Sequence, residues 1–221
     1  MKVLFKVSLL AVVLLISSPT VAEDAIAFIF SGYKSSPQKE LYQKIGNTFE
    51  QNGIRTEYVE IDWSTGSIHS YIEQGRSVLK EKNADKYYFY GFSLGGLIAL
   101  SLSSEFRSES VLVSSIAPFF KEDIEALSWY SPQKIYNWWN FGDSDSVALN
   151  ELLARLNSQH TKVTLLVGER ERDVMLNRSR YISDNLKNSR LVVMNNIGHG
   201  ISEPGHMGFI VNEIQKQMPN N

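Results

Sequence analysis

From Ala25 onward the chain alternates short, fully apolar runs with stretches in which apolar residues return every three or four positions. The run Ala25–Phe30 (AIAFIF) has the length and continuity of a strand buried on both faces. Ser35-Ser36-Pro37 then offers a helix start, Leu41, Ile45 and Phe49 recur every four residues, and Gly53 supplies a stop. The same reading places strands at Tyr58–Ile61, Tyr87–Tyr90, Val111–Val113, Val163–Val167 and Leu191–Met194. Helices fall at Ile68–Lys82, around the apolar stretch Leu97–Leu102, at Val147–Leu156 and Asn177–Leu186, and after Gly205. Strands separated by helices predict an α/β fold, a mostly parallel sheet of about six strands with helices on both faces.

The first residues follow a different pattern. Lys2 and Lys6 precede an apolar run, Val7–Ile16, broken only by Ser8, and Ser17 to Ala22 ends that run on small residues before Glu23-Asp24. Charge, apolar run and small-residue exit are the order of a secretory signal peptide, and the run is shorter than the roughly 20 residues a spanning helix needs. The expectation is a cleaved leader at 1–22 and one domain at 23–221, exported to the periplasm or the medium, with an uncleaved N-terminal anchor as the alternative. No second strongly apolar span follows, so no stable membrane span is expected after cleavage.

Composition narrows the chemistry. The chain has no cysteine, so neither disulfides nor thiolate metal sites are available, and stability must come from packing. A formal charge of −2 carries no electrostatic footprint for nucleic acid. The four histidines, at 69, 160, 199 and 206, form neither H-E-x-x-H nor a close pair, so no metal or other cofactor is expected.

In an open parallel sheet, reacting groups gather at the carboxyl ends of strands. Tyr87–Tyr90 runs directly into Gly91-Phe92-Ser93-Leu94-Gly95-Gly96 and then into the apolar helix. A serine on so tight a strand-to-helix turn has strained backbone angles and no room for side chains two positions either side, which Gly91 and Gly95 relieve. G-x-S-x-G is unspecific alone, and the strand before and helix after make Ser93 the candidate nucleophile. A serine hydroxyl needs a base. His199, in a glycine-flanked loop after the last strand, is the candidate. His206 is the competitor, read as starting or capping the last helix. The imidazole in turn needs an acid, and the loop after Val163–Val167 holds both Glu171 and Asp173.

With serine, acid and histidine in that chain order, the sequence from about Ala25 to the C-terminal helix resembles the α/β-hydrolase family. The resemblance implies an oxyanion hole of two backbone N–H groups. One belongs to Leu94, and the other to Tyr33 in Ser31-Gly32-Tyr33, where the family commonly has His-Gly. The family's usual Gly-x-x-Asp spacing lands on Glu171, while residue type favours Asp173, and the reading leans to Asp173 with Glu171 open. The implied activity is hydrolysis of an ester or thioester of a small-molecule acyl substrate. Lipid, lactone or amide hydrolysis on the same groups, and a non-catalytic binding protein of the same fold, are the alternatives. Residues 117–146 include Trp129, Tyr130, Tyr136, Trp138, Trp139 and Phe141, three of the four tryptophans among them. They are read either as a short apolar cap over the site or as a surface element packed on the core. Nothing in the sequence bears on the oligomeric state.

Overall fold

The computed structural model describes residues 24–126 and 147–218. The expected leader at 1–22 and the six aromatic residues from Trp129 to Phe141 lie outside them.

Six strands form one all-parallel sheet: β1 (Ala25–Phe30), β2 (Arg55–Val59), β3 (Lys86–Phe92), β4 (Ser110–Ser114), β5 (Lys162–Gly168) and β6 (Ser189–Met194), in the spatial order β2-β1-β3-β4-β5-β6. The helices are α1 (Glu40–Glu50), α2 (Ile68–Glu81), α3 (Leu94–Ser103), α4 (Lys121–Ala126), α5 (Leu149–Gln159), α6 (Asp173–Asn185) and α7 (His206–Gln217), with a single 3-10 turn at Trp63–Thr65. Alternation along the strands sorts the core into two layers. Ala27, Ile29, Tyr88, Tyr90, Phe92, Leu112 and Leu166 pack under α1 and α7. Ile26, Phe28, Phe30, Phe89, Val111, Val113 and Leu165 pack on the other side under α2, α3, α5 and α6. With both faces covered, the central strands read as continuous apolar runs.

The strand order reverses between β1 and β3, since β2 lies on one side of β1 and β3 on the other. A crevice opens at the carboxyl ends of strands flanking such a reversal. There the chain places Ser31-Gly32-Tyr33 after β1 and Gly91–Gly95 around the end of β3.

The elements agree with the sequence pattern, and two boundaries differ in an instructive way. β2 begins three residues before the expected Tyr58, because an edge strand is only half covered and its Arg55-Thr56-Glu57 start looks polar. Helix α6 begins at Asp173, four residues before the expected Asn177. Every residue of α3 is buried, and its serines satisfy themselves locally: the Ser101, Ser103 and Ser104 hydroxyls donate to carbonyls three or four residues back. Among the described residues no helix is long and apolar enough to cross a membrane.

Candidate active site

Ser93 is the hinge between β3 and α3, with φ 54° and ψ −118°. This conformation costs a non-glycine residue about 1–3 kcal/mol and persists only when its surroundings fix it. They do so through four backbone bonds: Ser93 N–H donates to the Ser114 carbonyl at 2.9 Å, and the Ser93 carbonyl accepts from Gly96 N–H at 3.0 Å, Ala117 N–H at 3.1 Å and Leu97 N–H at 3.4 Å. The flanking glycines are required by contact. A Cβ on Gly91 would meet the Gly95 carbonyl oxygen at 2.3 Å, inside the turn itself. A Cβ on Gly95 would meet the carbonyl oxygens of Ser31 at 2.2 Å and Phe30 at 2.6 Å, so this glycine lets the end of β1 close on the turn. The N–H groups of Leu94 and Gly95 open α3, ahead of any intrahelical acceptor, with the positive end of the helix dipole behind them.

His199 Nε2 lies 3.1 Å from Ser93 Oγ, and His199 Nδ1 lies 3.0 Å from Glu171 Oε2. A carboxylate only accepts, so Nδ1 carries the proton and Nε2 is left to accept the Ser93 hydroxyl proton. The Glu171 side chain is fully buried, whereas His199 remains nearly half exposed. Its other oxygen, Oε1, accepts from Gly168 N–H at 2.8 Å and from the Ser115 hydroxyl at 2.6 Å. The acid that meets His199 is therefore Glu171. Asp173 is exposed in the first turn of α6, a correction to the preference for it. The reason is the early start of that helix: only four residues separate the end of β5 from Asp173. The longer glutamate side chain turns back from the loop, and the aspartate faces outward.

Glu203 and His206 fix the histidine loop. Glu203 accepts from Gly198 N–H at 2.8 Å, Gly200 N–H at 3.3 Å and Arg170 at 2.6 Å. These bonds, Gly198 N–H foremost, hold its carboxyl below the usual carboxylate range. His206 opens α7 as expected, yet it is no surface cap. It is wholly buried, with Nδ1 2.9 Å from the Gly200 carbonyl and Nε2 2.7 Å from Ser114 Oγ, and burial holds its pKa below the ordinary histidine value. Ser115, Glu203 and the buried role of His206 were not foreseen. The Ser114-Ser115 pair ending an apolar strand at the sheet's reactive edge was the available signal.

The loop after β1 turns tightly. Ser35 N–H donates to the Gly32 carbonyl at 3.0 Å, with Lys34 at φ 54°, and Gly32 N–H donates to the Tyr42 hydroxyl at 3.0 Å. Tyr33 meets Trp63 edge-on at 5.5 Å between centroids, and Trp63 meets Tyr71 at 4.9 Å. An aromatic wall thus stands beside the Ser31-Gly32-Tyr33 segment. The Phe92 ring fills the space below, 5.4 Å from the His199 ring and 6.0 Å from that of His206, and a Cβ on Gly32 would touch it at 2.8 Å.

Comparison with known proteins bears on the fold first. The structure is similar to a putative hydrolase from Agrobacterium vitis (TM-score 0.70, 16% identity, covering 89% of this chain and 88% of that one). It is similar to Est1E from Butyrivibrio proteoclasticus with ferulic acid bound (TM-score 0.68, 14% identity, 89% and 88%). An esterase from Exiguobacterium antarcticum is also similar (TM-score 0.62, 14% identity, 89% and 93%). No curated protein matches the sequence. The fold is that of the α/β-hydrolases. A family model matches residues 27–207, and the chain belongs to the uncharacterised protein family UPF0227.

Proposed function

We propose that this protein is an exported serine hydrolase that cleaves an ester or thioester of a small or medium acyl substrate through an acyl-enzyme. The observation that carries the reading is the unbroken line from Ser93 Oγ through the His199 ring to buried Glu171, with steps of 3.1 and 3.0 Å. His199 Nε2 takes the hydroxyl proton as Ser93 Oγ attacks the acyl carbon. The new imidazolium is balanced by Glu171. The N–H groups of Leu94 and Tyr33 receive the oxyanion, an interaction whose loss typically costs about 3 kcal/mol of transition-state stabilisation. His199 then returns its proton to the departing alcohol or thiol. A water enters, gives a proton to His199, and releases the acid while Ser93 regains its hydrogen.

The apolar wall of Tyr33 and Trp63 favours a substrate with an aromatic or other apolar group beside the reacting carbonyl. Among the similar structures, Est1E holds ferulic acid, an aromatic acid, and the Exiguobacterium antarcticum protein is an esterase.

A fluorophosphonate probe and a panel of acyl esters test this directly. The wild-type protein should label and turn over an activated ester, and Ser93→Ala should do neither. Retention of most activity in Ser93→Ala would exclude the mechanism, and an unlabelled wild type would favour a binding protein of the same fold. Preference for lactones or amides in the panel would move the substrate class without moving the site. Export is tested by sequencing the N-terminus of protein from the periplasm and medium, where a start at Glu23 is expected.

A further inference from the structure

The end of β4 touches every part of the proposed catalytic line. The Ser114 carbonyl accepts the N–H of Ser93, and the Ser115 hydroxyl donates to Glu171. The third link runs through His206: its Nε2 is 2.7 Å from Ser114 Oγ, and its Nδ1 is 2.9 Å from the carbonyl of Gly200, the residue after His199.

The proton positions on this link follow from the partners. A carbonyl only accepts, so Nδ1 bears a hydrogen. A neutral ring then leaves Nε2 as an acceptor, and the Ser114 hydroxyl must donate to it. The wholly buried Tyr90 hydroxyl stands near Ser114 without a well-formed hydrogen bond. The arrangement has one direction, from Ser114 through His206 to Gly200. A charged ring would place a hydrogen on Nε2 and force the Ser114 hydroxyl to turn away.

The Gly200 carbonyl carries two hydrogen bonds, one from His206 and one from Glu203 N–H at 3.0 Å. Glu203 already fixes the N–H groups of Gly198 and Gly200, the residues on each side of His199. His206 ties the His199 loop to the end of β4, beside the ties to the end of β5 made by Arg170 N–H on the Ile197 carbonyl at 2.9 Å and Asn196 N–H on Glu169 at 3.0 Å. The His206 ring and that of His199 both meet Phe92, the residue that precedes the nucleophile.

We propose that His206 is a positioning residue for His199, a neutral imidazole protonated on Nδ1 that locks the His199 loop to the Ser114-Ser115 end of β4. The proposal rests on the reading of Ser93, His199 and Glu171 as a hydrolytic triad. It never contacts substrate; it sets the distance between the base and the nucleophile, to which turnover is steeply sensitive.

The test uses the mature protein, an activated acyl ester, and activity expressed per active site titrated with a fluorophosphonate. His206→Phe should lower kcat roughly tenfold to a hundredfold with KM little changed, because misplacement by about 1 Å costs on that order. His206→Asn retains an amide N–H where Nδ1 stood and should recover much of the loss. Ser114→Ala, which deletes one oxygen and leaves the strand intact, should lower kcat in the same sense and serves where His206→Phe does not fold. Nitrogen-15 NMR of histidine-labelled protein at pH 7 should show His206 neutral with its proton on Nδ1. Unchanged kcat per titrated site in Ser114→Ala and in the folded His206 variants, or a His206 proton on Nε2, overturns the proposal. Failure of the wild type to label at Ser93 would instead sink the triad reading, so the two failures are distinguishable.

Discussion

Glu171 and Asp173 stand two positions apart after β5, and their surroundings share almost nothing. Glu171 accepts from Gly168 N–H, the Ser115 hydroxyl and His199, all in a buried setting, while Asp173 opens α6 in solvent. A glutamine at 171 offers one acceptor oxygen where two are used, and cannot balance an imidazolium. Glu171→Gln should therefore reduce kcat by roughly three to four orders of magnitude with the protein still folded. Asp173→Asn should leave turnover near wild type and lower stability by about 1 kcal/mol or less, the worth of a charge at a helix N-terminus. Parallel assays of the two variants check this, and equal losses in both would contradict the geometry. Ser93 and His199 were legible in the sequence because glycines and strand ends mark them. The acid was legible only through the family spacing, which lands on Glu171, while residue type pointed to Asp173, and the choice turned on where α6 begins. Arg178 shows the same limit. In sequence it belongs to a polar helical stretch. In the structure it is buried against Asp123, between the rings of Phe120 and Tyr181.

Among the elements, α3 and β1 depend on each other most closely, and glycine contacts make the dependence measurable. Gly95→Ala would set a methyl 2.2 Å from the Ser31 carbonyl oxygen, and backbone on both sides leaves no flexible side chain to yield. The loop after β1 must move away from Ser93, so the variant should lose most ester hydrolysis and unfold at lower temperature. Gly208 in α7 is the control, because a Cβ there meets nothing within 4 Å. Gly208→Ala should raise stability by about 0.5–1 kcal/mol with activity unchanged. Thermal melts and ester assays on both variants test the pair, and a well-folded, fully active Gly95→Ala would contradict the inferred closeness. At α4 and α5 the chain is tied across the aromatic segment. Phe120 bridges to Val147, and Glu122 accepts from the N–H groups of Leu149 and Asn150 at 2.9 and 3.0 Å, capping α5 from another helix. No short-range pattern announces such a cap, which is why the sequence yielded the helix and not its anchor.

For the whole molecule, a chain without cysteine relies on packing and buried hydrogen bonds, and the way stability changes with pH reports on the bonds that need a particular proton. His206 is the group that matters just below neutrality. It is neutral in the folded protein because burial lowers its pKa, while in the unfolded chain it titrates near 6.5. Between those two values the unfolded state binds more protons, so this contribution is fully present above about pH 6.5 and is lost as pH falls toward the folded value. Glu171 and Glu203 nearby favour the charged ring and His199 opposes it, but burial outweighs them. Glu203 and Glu122 act in a more acidic window: hydrogen bonds from backbone N–H groups, for Glu122 against the opposing effect of burial, hold their carboxyls below their ordinary values, so their contributions are lost as pH falls from the unfolded carboxylate value toward the lower folded one. The melting temperature should therefore decline between pH 7 and pH 5 in the wild type, and decline less in His206→Asn, which has no proton to take up. The comparison is of slopes, so a lower melting temperature of the variant at pH 7 does not obscure it. Equal slopes in the two proteins would mean that the folded protein protonates His206 as readily as the unfolded chain does, so that the ring is charged at the acid end of this range. Its Nε2 would then donate to Ser114, and the single-direction link between the β4 end and the histidine loop would be lost.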